Sequence, residues 1–142
     1  MSQSNRAAVE RMLQVIASAP ESAVAECVTP NWVNHDPSLP PLRGLEGAAS
    51  LVRLWRTGFT NLKLEVEDSI EAGDKVACRF RVSGTHSGPL MGVPASGQSV
   101  SVVATGIFRV VDGKLSDNWV NFDALGLLQQ IGAVPALSKS AV

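Results

Sequence analysis

The apolar period of this chain changes once, near residue 60, and that change restricts the fold more than any motif does. Before it, Val9, Met12, Leu13 and Ile16 recur at helical spacing, as do Ala48, Leu51, Val52, Trp55 and Phe59. After it the period is two. Leu62, Leu64, Val66, Asp68 and Ile70 alternate with Lys63, Glu65, Glu67 and Ser69, the pattern of a strand with one wet face. Lys75 to Thr85 returns as a second strand, with Val76, Cys78, Phe80 and Val82 on one face. Gln98 to Val111 is a third, and Asp112-Gly113 turns it into a fourth. Helices first, long antiparallel strands next and a short closing helix predict an α+β architecture. Long strands twist and curl, so the sheet is expected to wrap around the N-terminal helices as a cone.

Local signals set the element ends. Pro20 stops a first helix. A shorter helix is expected from about Ser22 to Val28, before Pro30. Trp32 to Pro37 reads as a short strand or extended turn, Ser38 to Gly44 as a surface loop, and Leu45 to Gly58 as a third helix. His86 to Gly97, rich in Gly and Pro, is a long hairpin loop. A last helix starts near Ala124 and breaks at Gly132. With 142 residues the chain is read as one domain over 1–132, followed by a tail over 133–142.

Composition excludes several functions. A net charge of -1 with 18% charged residues gives no basic patch for nucleic acid and no attraction to an anionic membrane. No apolar run is long enough to span a bilayer, and the N-terminus has no signal core. A soluble, cytoplasmic protein is the expectation. Cys27 and Cys78 are too few for a disulfide framework, and Cys78 reads as a buried core thiol. Scattered histidines and cysteines make no zinc site. The glycines around 84–97 lie between strands, so no helix N-terminus is there to receive a phosphate. Ser96 has no helix after it and is no nucleophile elbow.

The strand after Asp112-Gly113 carries the most chemistry. Simple alternation puts Leu115, Asp117, Trp119, Asn121 and Asp123 on one face. Aromatic surface, an amide and carboxylates together suit a pocket wall. Asp123 also stands just before Ala124-Leu125, where it would cap a helix.

Several segments together resemble the SnoaL-like polyketide cyclases, small members of the nuclear transport factor 2-like superfamily with a cystatin-like α+β barrel. They are Val33-Asn34-His35-Asp36-Pro37, Gly44-Leu45-Glu46-Gly47, Gly73-Asp74-Lys75-Val76-Ala77, Gly84-Thr85-His86-Ser87-Gly88 and Gly92-Val93-Pro94-Ala95-Ser96-Gly97. Asp112-Gly113-Lys114-Leu115, Trp119, Asp123 and Leu128-Gln129-Gln130-Ile131-Gly132 complete the set, in the family's order. The resemblance implies a cofactor-independent enzyme that closes a ring by an intramolecular aldol step on a hydrophobic carbonyl compound. It implies Asp123 as the general acid/base, with His35 as a second catalytic candidate. A carboxyl in a dry pocket has a raised pKa and handles protons well near neutral pH. Trp119, Asn121, Asn34, Trp55, Phe59, Thr105 and His86 are the expected substrate contacts. Asn34, His35 and Asp36 before Pro37 also suit a turn fixed by side-chain hydrogen bonds. The family pattern has a histidine on the penultimate strand, and Val103 to Phe108 contains none. Isomerase, dehydratase and epoxide hydrolase chemistry, the last needing Arg79 or Arg53 near Asp123, stay open. So does a non-catalytic binding or scaffolding domain. The resemblance further implies a homodimer through the outer sheet face. Ser99 to Arg109 is apolar on both faces, so one would face the cone and the other a neighbour.

Overall fold

A computed structural model describes residues 4–135. Helix α1 (Asn5–Ser18) is capped by the Ser4 side chain, which accepts from the Ala7 amide. A 3-10 turn (Glu21–Glu26) leads into β1 (Val28–Asn34). Strand β2 (Leu42–Arg43) is only two residues long and precedes α2 (Gly44–Gly58). The long strands follow: β3 (Phe59–Ala72), β4 (Lys75–His86), β5 (Ser99–Val111) and β6 (Lys114–Phe122). Helix α3 (Ala124–Gln130) comes last. The expected helix over 22–28 is thus a shorter 3-10 turn, because Val28 already pairs with Leu115 of β6. The loop expected over 38–44 holds β2. The expected tail falls largely on 136–142, outside the described residues.

Among the described residues the strands form one curved sheet in the order β2-β1-β6-β5-β4-β3. Every pairing is antiparallel except β1 with β6. The sheet does not close into a barrel; β2 and β3 are its two edges. Asp112 and Gly113 both take positive φ, the geometry of a two-residue type I′ hairpin. Helix α1 is tied across the turn end of the sheet. Asn5 Nδ2 donates to Gly73 O and Arg11 Nη2 to Gly113 O, at 3.1 and 2.9 Å.

The concave face carries the core. Val9, Met12, Leu13 and Ile16 of α1 and Ala48, Leu51, Val52 and Trp55 of α2 are buried with Val76, Cys78, Phe80 and Val82 of β4. From β5 the inward set is Val100, Val102, Ala104, Phe108 and Val110. Gly106 belongs to this face too: a Cβ there would meet the Phe108 ring and Val120 at 2.9–3.0 Å, so glycine makes room for both. On the outer side Ile70, Ala77, Ile107 and Trp119 line up across β3–β6. Ile70 and Ile107 are 65% and 46% exposed.

Irregularities in β6 and β1 decide which side chains face inward. Val110 pairs with Leu115, but Arg109 pairs with Asp117. Ser116 is therefore an extra residue, a β-bulge that reverses the alternation. Leu115 points into the core before it; Asn118, Val120 and Phe122 do so after it. In β1, Trp32 and Asn34 are buried while Val33 and His35 turn outward.

Candidate active site

Between α1, α2 and the sheet lies a small, partly open cavity of about 50 Å³. Its walls are mostly aliphatic and aromatic, with Met12, Leu51, Trp55, Phe80 and Phe108 among them. Three polar side chains also line it: Asn34, Asp36 and Asn118. They are 6%, 8% and 3% exposed. Asn34 and Asn118 are register partners in the β1–β6 pair, so they stand side by side on the inner face. Asp36 lies two residues beyond Asn34 and shares its direction.

Asp36 opens a tight turn. Its Oδ1 accepts from the Ser38 amide at 2.8 Å, and its carbonyl from Leu39 N at 3.2 Å. Burial pushes the Asp36 carboxyl above its ordinary value, against the lowering effect of the Ser38 hydrogen bonds. Neither Asn34 nor Asn118 has a side-chain hydrogen bond among the described residues, and Asn118 Oδ1 is fully buried without a partner. An unpaired buried acceptor costs about 1–3 kcal/mol. No Lys, Arg or His is among the lining residues.

Asn34, Asp36 and Leu39 border a second, open depression outside, with His35, Pro37, Pro41 and Arg43. The segment around Asp36 and Leu39 is thus the thin wall between the cavity and the surface.

Of the residues expected to contact substrate, Asn34 and Trp55 line the cavity. Phe59 is buried one layer behind, its ring 6.0 Å from that of Trp55. His86 packs behind Phe59, at 6.1 Å. It is fully buried and takes both the Ser96 amide and hydroxyl at Nδ1, while Nε2 has no partner among the described residues. It ties down the hairpin loop and does not line the cavity.

The other expectations need correction. Trp119 and Asn121 lie on the outer face and do not line the cavity, because the Ser116 bulge turns the second half of β6 over; Thr105 is outward by the regular alternation of β5. Thr105 pairs with Asn121 across β5–β6 and shares that outer position. His35 is outside as well. Its Nε2 lies 3.0 Å from Asp117 Oδ2, and its ring stacks on Trp119 at 5.0 Å and 7°. Lys75 and Arg109 sit over the same indole, 5.6 and 5.8 Å from the ring centre. Burial alone would raise the Asp117 carboxyl, but hydrogen bonds from His35 and Ser116 outweigh it and hold the pKa below its ordinary value. Asp123 is exposed at the start of α3, where its Oδ1 accepts from Gly126 N at 2.8 Å. Arg53 and Arg79 do not line the cavity either. Arg53 pairs with Glu21 and Glu46, and Arg79 with Glu67.

Asp36 and Asn118 are lining polar groups that the sequence reading did not name. A signal for Asp36 was present: counting by twos from Trp32, a core residue by type, places Asn34 and Asp36 inward. For Asn118 it was weaker, the apolar pair Val120 and Phe122 two and four residues on.

A curved, open sheet packed against N-terminal helices around a small, mostly apolar cavity defines a cone-shaped α+β domain. The profile of the SnoaL-like polyketide cyclases matches residues 6–131, and the chain belongs to that family. It is 32% identical over 130 residues to the aklanonic acid methyl ester cyclase of Streptomyces peucetius, covering 87% of this chain and 88% of that one. Among solved structures, TsrD of Streptomyces laurentii superposes with a TM-score of 0.79 at 32% identity, over 91% of this chain and 98% of that chain. A protein of Jannaschia sp. CCS1 described as a SnoaL-like polyketide cyclase gives 0.82 at 28% identity, over 95% and 99%. Likeness to named cyclases over most of both chains supports an enzyme of this type. No helix among the described residues is long and apolar enough to cross a membrane.

Proposed function

We propose that the chain is a cofactor-independent cyclase that closes a ring by an intramolecular aldol-type step on a neutral, hydrophobic polyketide ester. The cavity carries this reading: apolar walls with one polar pole of two carboxamides and a carboxyl. Such a site folds a flexible carbonyl chain, holds its oxygens and moves a proton. With Asp36 present and no cation in the lining, a substrate carboxylate would meet repulsion and an unpaid desolvation cost. An ester avoids both, and the Streptomyces peucetius relative is named for a methyl ester.

At about 50 Å³ the cavity is far below the roughly 300–1,000 Å³ of sites that hold drug-sized ligands. Binding therefore requires the cavity to widen around the substrate. The outer face supports a second copy of this chain as its partner, since Ile70, Ile107 and Trp119 form an apolar row there with Ile70 and Ile107 exposed.

The test is to incubate the protein with aklanonic acid methyl ester, the free acid and simpler aromatic β-keto esters. Ring closure is followed by chromatography at unchanged mass. Turnover of the ester at least tenfold faster than of the acid is expected. Binding of these compounds without turnover would favour a non-catalytic binding domain. No binding and no turnover would sink the reading. Light scattering checks the dimer, which Ile107→Lys should dissociate.

A further inference from the structure

Gln130 does in this fold what a residue of a neighbouring strand would do. We infer that Gln130 is a positioning residue: its side-chain amide seats α3 on the open edge of β5 and so fixes the end of β6, where Phe122 forms part of the cavity wall. The effect on turnover rests on the cyclase reading above; the effect on the wall does not.

β6 is shorter than the strand it pairs with. Its last rung joins Phe122 to Ala104, and one further bond runs from Asp123 N to Val103 O at 3.2 Å. Beyond that point the β6 side of β5 has no strand partner among the described residues. Ser101 lies two residues from Val103, so its N–H and C=O point to the same edge. Gln130 meets both groups. Its Oε1 accepts from Ser101 N at 2.8 Å, and its Nε2 donates to Ser101 O at 3.0 Å. One carboxamide thus supplies the acceptor and the donor that the next strand residue would have brought.

The helix depends on such a tie. A helix of 7 residues is too short to persist by its own hydrogen bonds. The Asp123 cap holds its first turn, and Leu127 and Ile131 are buried beneath it. Apolar burial has no direction, so it sets how deeply α3 sits and not where it lies along β5. Gln130, the last residue of α3, supplies that second restraint. Only Asp123 separates the helix from Phe122. The Phe122 ring packs edge-on against Trp55 at 5.4 Å, and both rings line the cavity. A shift of α3 therefore reaches the wall against which substrate must be oriented, where a displacement of about 1 Å costs up to about 100-fold in rate.

The test compares Gln130→Glu with Gln130→Ala. An ionised carboxylate at this position accepts from Ser101 N but repels Ser101 O; once protonated it has a donor and an acceptor again. Arg81, which donates to Ser101 Oγ at 3.0 Å, is the charged side chain beside the clamp and favours the ionised form. At neutral pH both variants should melt within about 5 °C of wild type. Both should shift the Trp55 indole resonance and lose at least about tenfold in kcat/KM. As pH falls from 7 to about 4, near the free carboxyl value of Glu, the Trp55 resonance and the exchange protection of the Ser101 amide should return towards wild type at the same pH. They should do so in Gln130→Glu and not in Gln130→Ala. Because acid restores the clamp within one molecule, Gln130→Glu decides the matter even where Gln130→Ala does not fold. Gln129→Glu is the control: its native amide reaches Pro135 O, so the Trp55 resonance and turnover should not change. An unmoved resonance or normal turnover in both Gln130 variants, or no acid recovery in Gln130→Glu, would overturn the inference. A wild-type protein inert towards every ester, with the resonance shifting and recovering as described, would refute the cyclase reading and leave the clamp in place.

Discussion

Replacing Asn118 by Leu should make this protein more stable and a worse enzyme. Asn118 is 3% exposed and its Oδ1 has no partner among the described residues, which costs about 1–3 kcal/mol in the native state. Leu has the same branched outline, though it is larger, and would join Val120 and Phe108 on the same wall. Removing the unpaired acceptor and burying apolar atoms, at about 0.8 kcal/mol per CH₂, works against an imperfect fit costing about 1–2 kcal/mol. The balance is a gain of about 1–2 kcal/mol. Unfolding entropy of about 2.1 cal/mol/K per residue over 142 residues is about 0.3 kcal/mol/K. The melting temperature should therefore rise by roughly 3–7 °C. Calorimetry measures the rise, and ester turnover measured alongside should fall at least tenfold. A lower melting temperature would refute the reasoning, because the amide would then be satisfied in the native protein. A higher one with unchanged turnover would refute its role in holding substrate.

Asp123→Ala should cost about 1 kcal/mol and Asp123→Asn only a few tenths, read from denaturant midpoints; equal losses would mean that the Gly126 hydrogen bond is not what Asp123 supplies. Asp117 has a depressed pKa in the fold, so its stabilisation is present above the unfolded value of about 3.9 and disappears as pH falls through the lower folded value. Wild type and Asp117→Asn should then converge in stability as pH falls below about 4, with the difference at neutral pH about 1 kcal/mol or less for so exposed a pair; curves that stay parallel down through acid pH would contradict the pairing. Burial pushes the Cys78 thiol up to about 11 and raises Cys27 as well, so neither should react with a disulfide reagent at pH 8 until the protein is unfolded. Prompt labelling of the native protein would show that these positions open readily.

The architecture was legible because its signals are local. The change of period near residue 60, Pro20, Gly58 and the Asp112-Gly113 turn mark elements within a few residues of where they lie, and the inner face of β4 follows from alternation. In β3 it holds only through Leu62, Leu64 and Val66: a bulge between Val66 and Asp68 turns Ile70, read on the same face, to the outer side. What depends on pairing was not legible. Ser116 looks like any strand residue, and only its position against Arg109 and Val110 makes it a bulge. Alternation carried across it sent Trp119, Asn121 and Asp123 to the wrong side. At β1 the phase was available from Trp32, but Pro37 made the segment read as a turn. It is one, and Asp36 opens it while facing the cavity. Two-residue β2 is too short to leave a pattern.

The bulge at Ser116 also governs how any role can be carried between this chain and a relative. A one-residue gap opened between Leu115 and Asn118 is not a neutral choice of where to place an insertion. It exchanges the cavity wall for the outer surface along the rest of β6. Two proteins can share the tryptophan and the helix cap by position and still present different side chains to their substrates. Alignments of this strand are therefore anchored on the pairing of Arg109 with Asp117, and catalytic labels are moved only after the bulges have been matched.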